Sequence, residues 1–143
     1  MPASDRALRE RMIMANQIYI NLPVADLAKS VDFFSALGFR FEPKFTDDHS
    51  TCMIVGENMF VMLVTHPKFR AFTPNEICDT SRNTEVLVCL TLDSKEQVQQ
   101  MVESAVASGG KTYTQPQDHP LMYGHGFQDP DGHIWELLYF NPS

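Results

Sequence analysis

Glu136 is the residue of this chain best placed to do chemistry. It lies within Ile134-Trp-Glu-Leu-Leu-Tyr-Phe140, a run that is otherwise apolar. A lone carboxylate on an apolar face must find a partner or hold its proton more tightly than a solvated acid does. In the second state it would suit a general base. Paired with Tyr19 or Asn21 it would be a specificity group, and bound to Tyr19 alone a structural one. His125 is the residue that could make Glu136 half of a metal site. If Pro130-Asp-Gly132 form a three-residue loop with a glycine bulge, Asp129 faces His133, Gly126 faces Glu136, and His125 faces Leu137 on the opposite side. A two-residue loop would reverse this and bring His125 beside the carboxylate. The first register is expected, because it gathers Phe127, Trp135 and Leu137 on one face for a helix to cover. It also sets Gly124 and Gly126 on the side of Glu136, where the missing side chains would leave room for a ligand. Met122, Ile134, Leu138, Phe60 and Met62 would then wall an apolar pocket. The alternative is that the glycines only relieve crowding and the methionines fill core.

The other reactive types read as structural. Asp129-Pro-Asp-Gly132 is a turn, with proline setting the bend and glycine taking positive φ. His133 begins the last strand and reads as a satisfied edge histidine. His49, His66 and His119 lie in polar or proline-containing connections, from which His119 could reach a pocket mouth. Cys52, Cys78 and Cys89 are an odd count without Cys-x-x-Cys spacing, which points away from a disulfide framework or a cysteine zinc site. Cys89 faces a cavity in this reading, yet nothing adjacent would make it a thiolate. There is no glycine-rich phosphate loop.

Two similar units are needed to carry these residues. Gln17–Val24 alternates between two faces, Asp26 stands at a helix N-cap, and Leu27 to Leu37 has helical spacing closed by Gly38. Strands are expected at about Phe39–Phe45, Thr51–Val55 and Phe60–Thr65. The order then repeats: a strand at Val86–Leu92, a capping box at Ser94–Gln97, a helix ending at Gly109-Gly110, and strands at Lys111–Thr114, Tyr123–Asp129 and His133–Phe140. Val24 laid on Leu92 also lays Leu22 on Leu90 and Ile20 on Val88, so two copies of a β-α-β-β-β motif are the economical explanation. The fold class expected is α+β, with module one at about 16–65, a connection at 66–83 and module two at about 84–142. Phe69, Phe72 and Ile77 favour a short helix or pocket cover in the connection over a plain linker. Residues 1–15 read as an N-terminal extension with a short helix over Asp5–Met14, and Met14 is a candidate translation start.

Composition bounds the partners. At 143 residues, 43% hydrophobic and 20% charged, the chain is of globular type. No run approaches a membrane span. A net charge of −7 without clustered Lys or Arg argues against nucleic acid. The charged N-terminus is unlike an export signal, so a cytoplasmic location is expected.

Asn21-Leu-Pro-Val-Ala-Asp26, Phe33-Phe-Ser-Ala-Leu-Gly-Phe39 and Gly126-Phe-Gln-Asp-Pro-Asp-Gly-His-Ile-Trp-Glu-Leu137 resemble the vicinal oxygen chelate superfamily of glyoxalases, bleomycin-resistance proteins and extradiol dioxygenases. The nearest resemblance is to a glyoxalase-like branch often labelled as predicted lactoylglutathione lyases. It implies a cupped, eight-stranded mixed sheet with helices outside, a homodimer, and a small organic ligand in the hollow. Tyr19, Asn21, Leu87, Cys89 and Thr91 would then face that hollow. In metal-using members each module's first and last strand supplies a ligand. Here those places fall on Tyr19, Met62, Leu87 and Glu136, so a divalent ion would rest on Glu136 alone. Two functions follow from the resemblance: a lyase or isomerase with Glu136 as base or residual metal ligand, and a metal-free binding or sequestration protein of the bleomycin-resistance type. A ferredoxin-like monooxygenase would need only one copy of the motif.

Overall fold

The computed structural model describes residues 3–142. After helix α1 (Ala3–Arg11), the first module runs β1 (Ile18–Val24), α2 (Leu27–Ala36), β2 (Arg40–Glu42), β3 (Ser50–Gly56) and β4 (Met59–Thr65). Asp26 caps α2 by accepting the Lys29 N–H at 3.1 Å. The strand expected to continue to Phe45 stops at Glu42, because Pro43 has no N–H for the ladder and opens a 3-10 turn over Pro43–Phe45. The connection begins with the short helix α3 (His66–Arg70), in line with its apolar content.

The second module repeats the order as β5 (Leu87–Thr91), α4 (Lys95–Ala107), β6 (Gln117–His119), β7 (Met122–Gln128) and β8 (Ile134–Phe140). Ser94 caps α4 through the Gln97 N–H at 3.1 Å. The two mixed sheets have matching orders, β1-β4-β3-β2 and β5-β8-β7-β6, with the first and last strands of each module paired in parallel. The duplicated registers coincide: Asn21 lies opposite Met62 as Cys89 lies opposite Glu136.

One strand is displaced from its expected place. Lys111–Thr114 reads as a strand in the sequence, but Lys111 makes only an isolated bridge to Gln128, and pairing resumes at Gln117 opposite Gly124. Five residues, 112–116, thus lie opposite three of β7, 125–127, a bulge of two extra residues. Pro116 lies within it and cannot donate to the ladder.

One apolar core joins the modules. Leu22, Val24, Phe33, Phe34, Val61 and Leu63 from the first form a single cluster with Val88, Val98, Phe127, Trp135 and Leu137 from the second. Phe34 of α2 lies 5.1 Å from Trp135, and Phe33 lies 5.9 Å from Phe127. Full burial of each such side chain contributes about 1.5–3 kcal/mol. No helix of the described residues is long and apolar enough to cross a membrane.

The β7–β8 turn ties the modules together by polar contacts as well. Asp131 accepts the Ala25 N–H at 2.8 Å and the Ser30 hydroxyl at 3.2 Å. His133 is 2% exposed. Its Nε2 donates to the Pro23 carbonyl at 2.6 Å, and its Nδ1 stands 2.7 Å from Glu85 Oε1 but out of line for a hydrogen bond. His133 is therefore no edge residue; it is a buried strut between β1 and the head of β5. His133→Ala should lower unfolding free energy by about 2 kcal/mol, since the Pro23 carbonyl loses its donor. Urea titration of the variant checks this, and an unchanged midpoint would deny the strut.

Candidate functional site

The register on which the site depends is observed. Gly126 pairs with Glu136, Phe127 with Trp135 and His125 with Leu137. The turn closes through Gly132 N–H to Asp129 O at 2.9 Å and Asp129 N–H to His133 O at 3.0 Å. Gly132 has φ of +90°, and a side chain there would also strike the Thr80 carbonyl. His125 thus lies across the sheet from the carboxylate, and its Nε2 donates to the Thr114 carbonyl at 2.8 Å.

Glu136 lines a cavity of about 270 Å³ built wholly from the second module, together with Met122, Gly124, Gly126, Leu138 and the 113–117 bulge. The carboxylate is half-buried. Among the described residues it makes no hydrogen bond or ion pair, and neither Lys nor Arg lines the cavity. Two groups face it. Burial, with the Glu136 charge second, pushes the Tyr113 phenol above its usual range, and the same two causes raise the Cys89 thiol. At neutral pH both keep their protons.

The room left by the glycines is partly used by the protein itself. A Cβ on Gly126 would stand 2.5 Å from the Tyr113 hydroxyl and 2.5 Å from the Trp135 carbonyl, and one on Gly124 would stand 2.7 Å from Leu138 Cδ2. Tyr113 escaped the sequence reading because it lies in the bulge, where strand alternation is lost. The proline at 116, two residues past the expected strand Lys111–Thr114, was the one available signal.

The remaining expected site residues fall elsewhere. Cys89 neighbours Glu136 in register. Leu87 shares that face and is 55% exposed. Tyr19 stacks on Phe60 at 4.8 Å, and its hydroxyl donates to Gln17 rather than to Glu136. Met62 is half-buried beside Asn21. Asn21 lines a separate, largely apolar cavity of about 360 Å³ with Phe69, Cys78, Glu85 and Val86. The structure therefore brings Met122, Gly124, Gly126 and Cys89 to Glu136, and leaves Tyr19, Asn21, Phe60 and Met62 on the first sheet.

Two parallel-closed βαβββ modules define a class of duplicated α+β proteins. The sequence pattern of the Glyoxalase/Bleomycin resistance protein/Dioxygenase superfamily matches residues 16–137, and the chain belongs to that superfamily. A hypothetical protein from S. aureus is similar, with 28% identity, TM-score 0.75, and 92% of this chain and 98% of that chain covered. At 13% identity and TM-score 0.66, the fosfomycin resistance protein FosX from Mesorhizobium loti shares the fold, covering 91% of this chain and 96% of its own. So does a bleomycin resistance determinant encoded on transposon Tn5, at 20% identity and TM-score 0.61, over 89% and 99% of the two chains. No curated protein matches the chain.

Members of the superfamily often bind a divalent metal, and the described residues around Glu136 do not by themselves make a set of ligands for one. Among the described residues no group of three or more His, Cys, Asp or Glu side chains is placed to hold an ion. The first module offers Met62 where the second offers Glu136, and a thioether does not suit a hard divalent cation.

Proposed function

We propose that this chain is a small-molecule-binding member of the superfamily that works without a metal, and that the carboxylate of Glu136 is the polar anchor of its ligand. The observation that carries the reading is an unpartnered, half-buried acid in a cavity whose walls set Met122, Leu137 and Leu138 beside the polar Thr114, Gln115 and Gln117. Covering such a group without giving it a partner is costly, so a ligand that fills the cavity must bring a donor or a charge to it.

A second copy completes the hollow in this proposal. The described chain exposes 9505 Å², against roughly 7,500 Å² expected for a monomer of its mass. Leu87 and Phe140 stand 55% and 58% exposed on the face of Glu136. These exposed apolar side chains suit burial in a homodimer interface, which at standard size covers about 800 Å² per partner. Sedimentation should accordingly report a dimer.

Thermal-shift screening against a library of small organic molecules tests the assignment. A ligand at a hundredfold excess over its Kd should add about 2.7 kcal/mol of stability, and Glu136→Ala should abolish the gain. Hits whose gain is unchanged in that variant would remove Glu136 from the site. A second reading, a lyase or isomerase of the lactoylglutathione-lyase type with Glu136 as base, is favoured by the protonated Tyr113 hydroxyl nearby, which could return a proton. It requires that hits exchange a carbon-bound hydrogen with deuterated solvent, and that Glu136→Gln stop the exchange.

A further inference from the structure

We propose that Tyr113 is the specificity-determining residue of this cavity, and that Tyr113 and Glu136 together select protonated amines carried on an apolar body. The inference rests on the reading of the cavity as a ligand site and names the class of ligand.

Charge limits the choice first. Among the described residues Glu136 is the only acidic side chain lining the cavity, and no Lys or Arg lines it. His125 gives its Nε2 proton to the Thr114 carbonyl. An anionic ligand would meet Glu136 with no compensating cation, in a chain of net charge −7. A neutral hydrocarbon would desolvate the carboxylate and return nothing to it. An ammonium group satisfies it with a charge-assisted hydrogen bond, and Met122 and Leu138 supply contact for an apolar body.

Tyr113 supplies the second contact. The two-residue bulge lifts it off the outer strand and lays its hydroxyl over Gly126, the residue directly opposite Glu136. The bulge is held at both flanks, by the Lys111–Gln128 backbone pair at 2.7 and 3.1 Å and by the His125 contact to Thr114. Among the described residues the hydroxyl has no hydrogen-bond partner. Its oxygen is free to accept from an ammonium, and the aromatic face attracts a cation. A bulge that re-aims one side chain toward an acid is a costly irregularity in a strand, and ligand selection accounts for it.

Hexylammonium, 1-hexanol and hexanoate, which share one apolar body, test the proposal by isothermal titration of the wild-type chain and four variants. Hexylammonium should bind at least about tenfold more tightly than hexanol, with hexanoate weakest. Glu136→Gln should weaken hexylammonium by about thirtyfold and erase its advantage. Tyr113→Leu should weaken it by about tenfold, leaving hexanol within about twofold, while Tyr113→Phe keeps most of the ring's share. Equal binding of hexanol and hexylammonium, reduced by Glu136→Ala, would overturn amine selection and leave the ligand site standing. Binding of none of the three would overturn the proposal, and a library without Glu136-dependent hits would remove the ligand site as well. Amine selection unaltered in Tyr113→Leu would remove Tyr113 from its role.

Discussion

Asp129→Ala is expected to remove about 4 kcal/mol of folding stability, because three donors lose their acceptor together. Asp129 is 5% exposed. Its Oδ1 accepts the backbone N–H groups of Asp131 at 2.9 Å and His133 at 3.0 Å, and its Oδ2 accepts the Trp135 indole N–H at 3.0 Å. All three donors lie in the turn or strand that positions Glu136, and Trp135 is fully buried. Truncation leaves each donor without its partner. Asp129→Asn should cost less, about 2 kcal/mol, since an amide oxygen can still serve the two backbone groups while its NH2 faces the indole. Urea unfolding followed by Trp135 fluorescence measures both, and a loss below 1 kcal/mol in the alanine variant would deny the network.

The same residue sets a pH signature. Desolvation, the largest cause, pushes the Asp129 carboxyl above its ordinary 3.8, against the lowering effects of His133 and the Trp135 hydrogen bond. A raised acid in the folded state means that the native chain binds this proton more tightly than the unfolded chain does. Its contribution to stability is therefore greatest below 3.8 and declines as pH climbs through the elevated folded value. This is opposite in sign to Asp47 and Asp79, whose hydrogen bonds lower them and whose contributions are lost on acidification. In Asp129→Asn the declining part should vanish, so stability rises more steeply with pH from about 4 upward than in the wild type.

Gly126→Ala should be the most damaging single methyl in the site. Its Cβ would lie 2.5 Å from the Trp135 carbonyl, a backbone atom with little freedom, and 2.5 Å from the Tyr113 hydroxyl. Overpacking of this kind costs about 3 kcal/mol. Any relaxation that keeps β7 paired with β8 must expel the Tyr113 hydroxyl, so ligand affinity should fall along with stability. Unfolding midpoints and titration of one ligand measure the two losses separately. A variant that binds as well as wild type would show that the Tyr113 position is immaterial.

What could be seen in the sequence was whatever local pattern fixes. The duplication is written in alternation and caps: Asp26 and Ser94 both cap helices as their spacing implies. The Gly126–Glu136 register followed from one turn, because Asp129-Pro-Asp-Gly132 admits few loop lengths and a slip by one would have put Trp135 in solvent. Contacts distant in sequence were out of reach. Nothing local announces that His133 would donate to Pro23, or that Tyr19 would stack on Phe60 and leave Glu136 without it. Tyr113 was hidden for a different reason. A two-residue bulge erases the period-two signal by which inward and outward residues are told apart.

The central claim is that Glu136 works as a free carboxylate. Elemental analysis of the chain purified without added metal, run beside Glu136→Ala, tests it most directly. Both proteins should carry well below one divalent ion per chain. Stoichiometric nickel, zinc, iron or manganese in the wild type, lost in the variant, would contradict it.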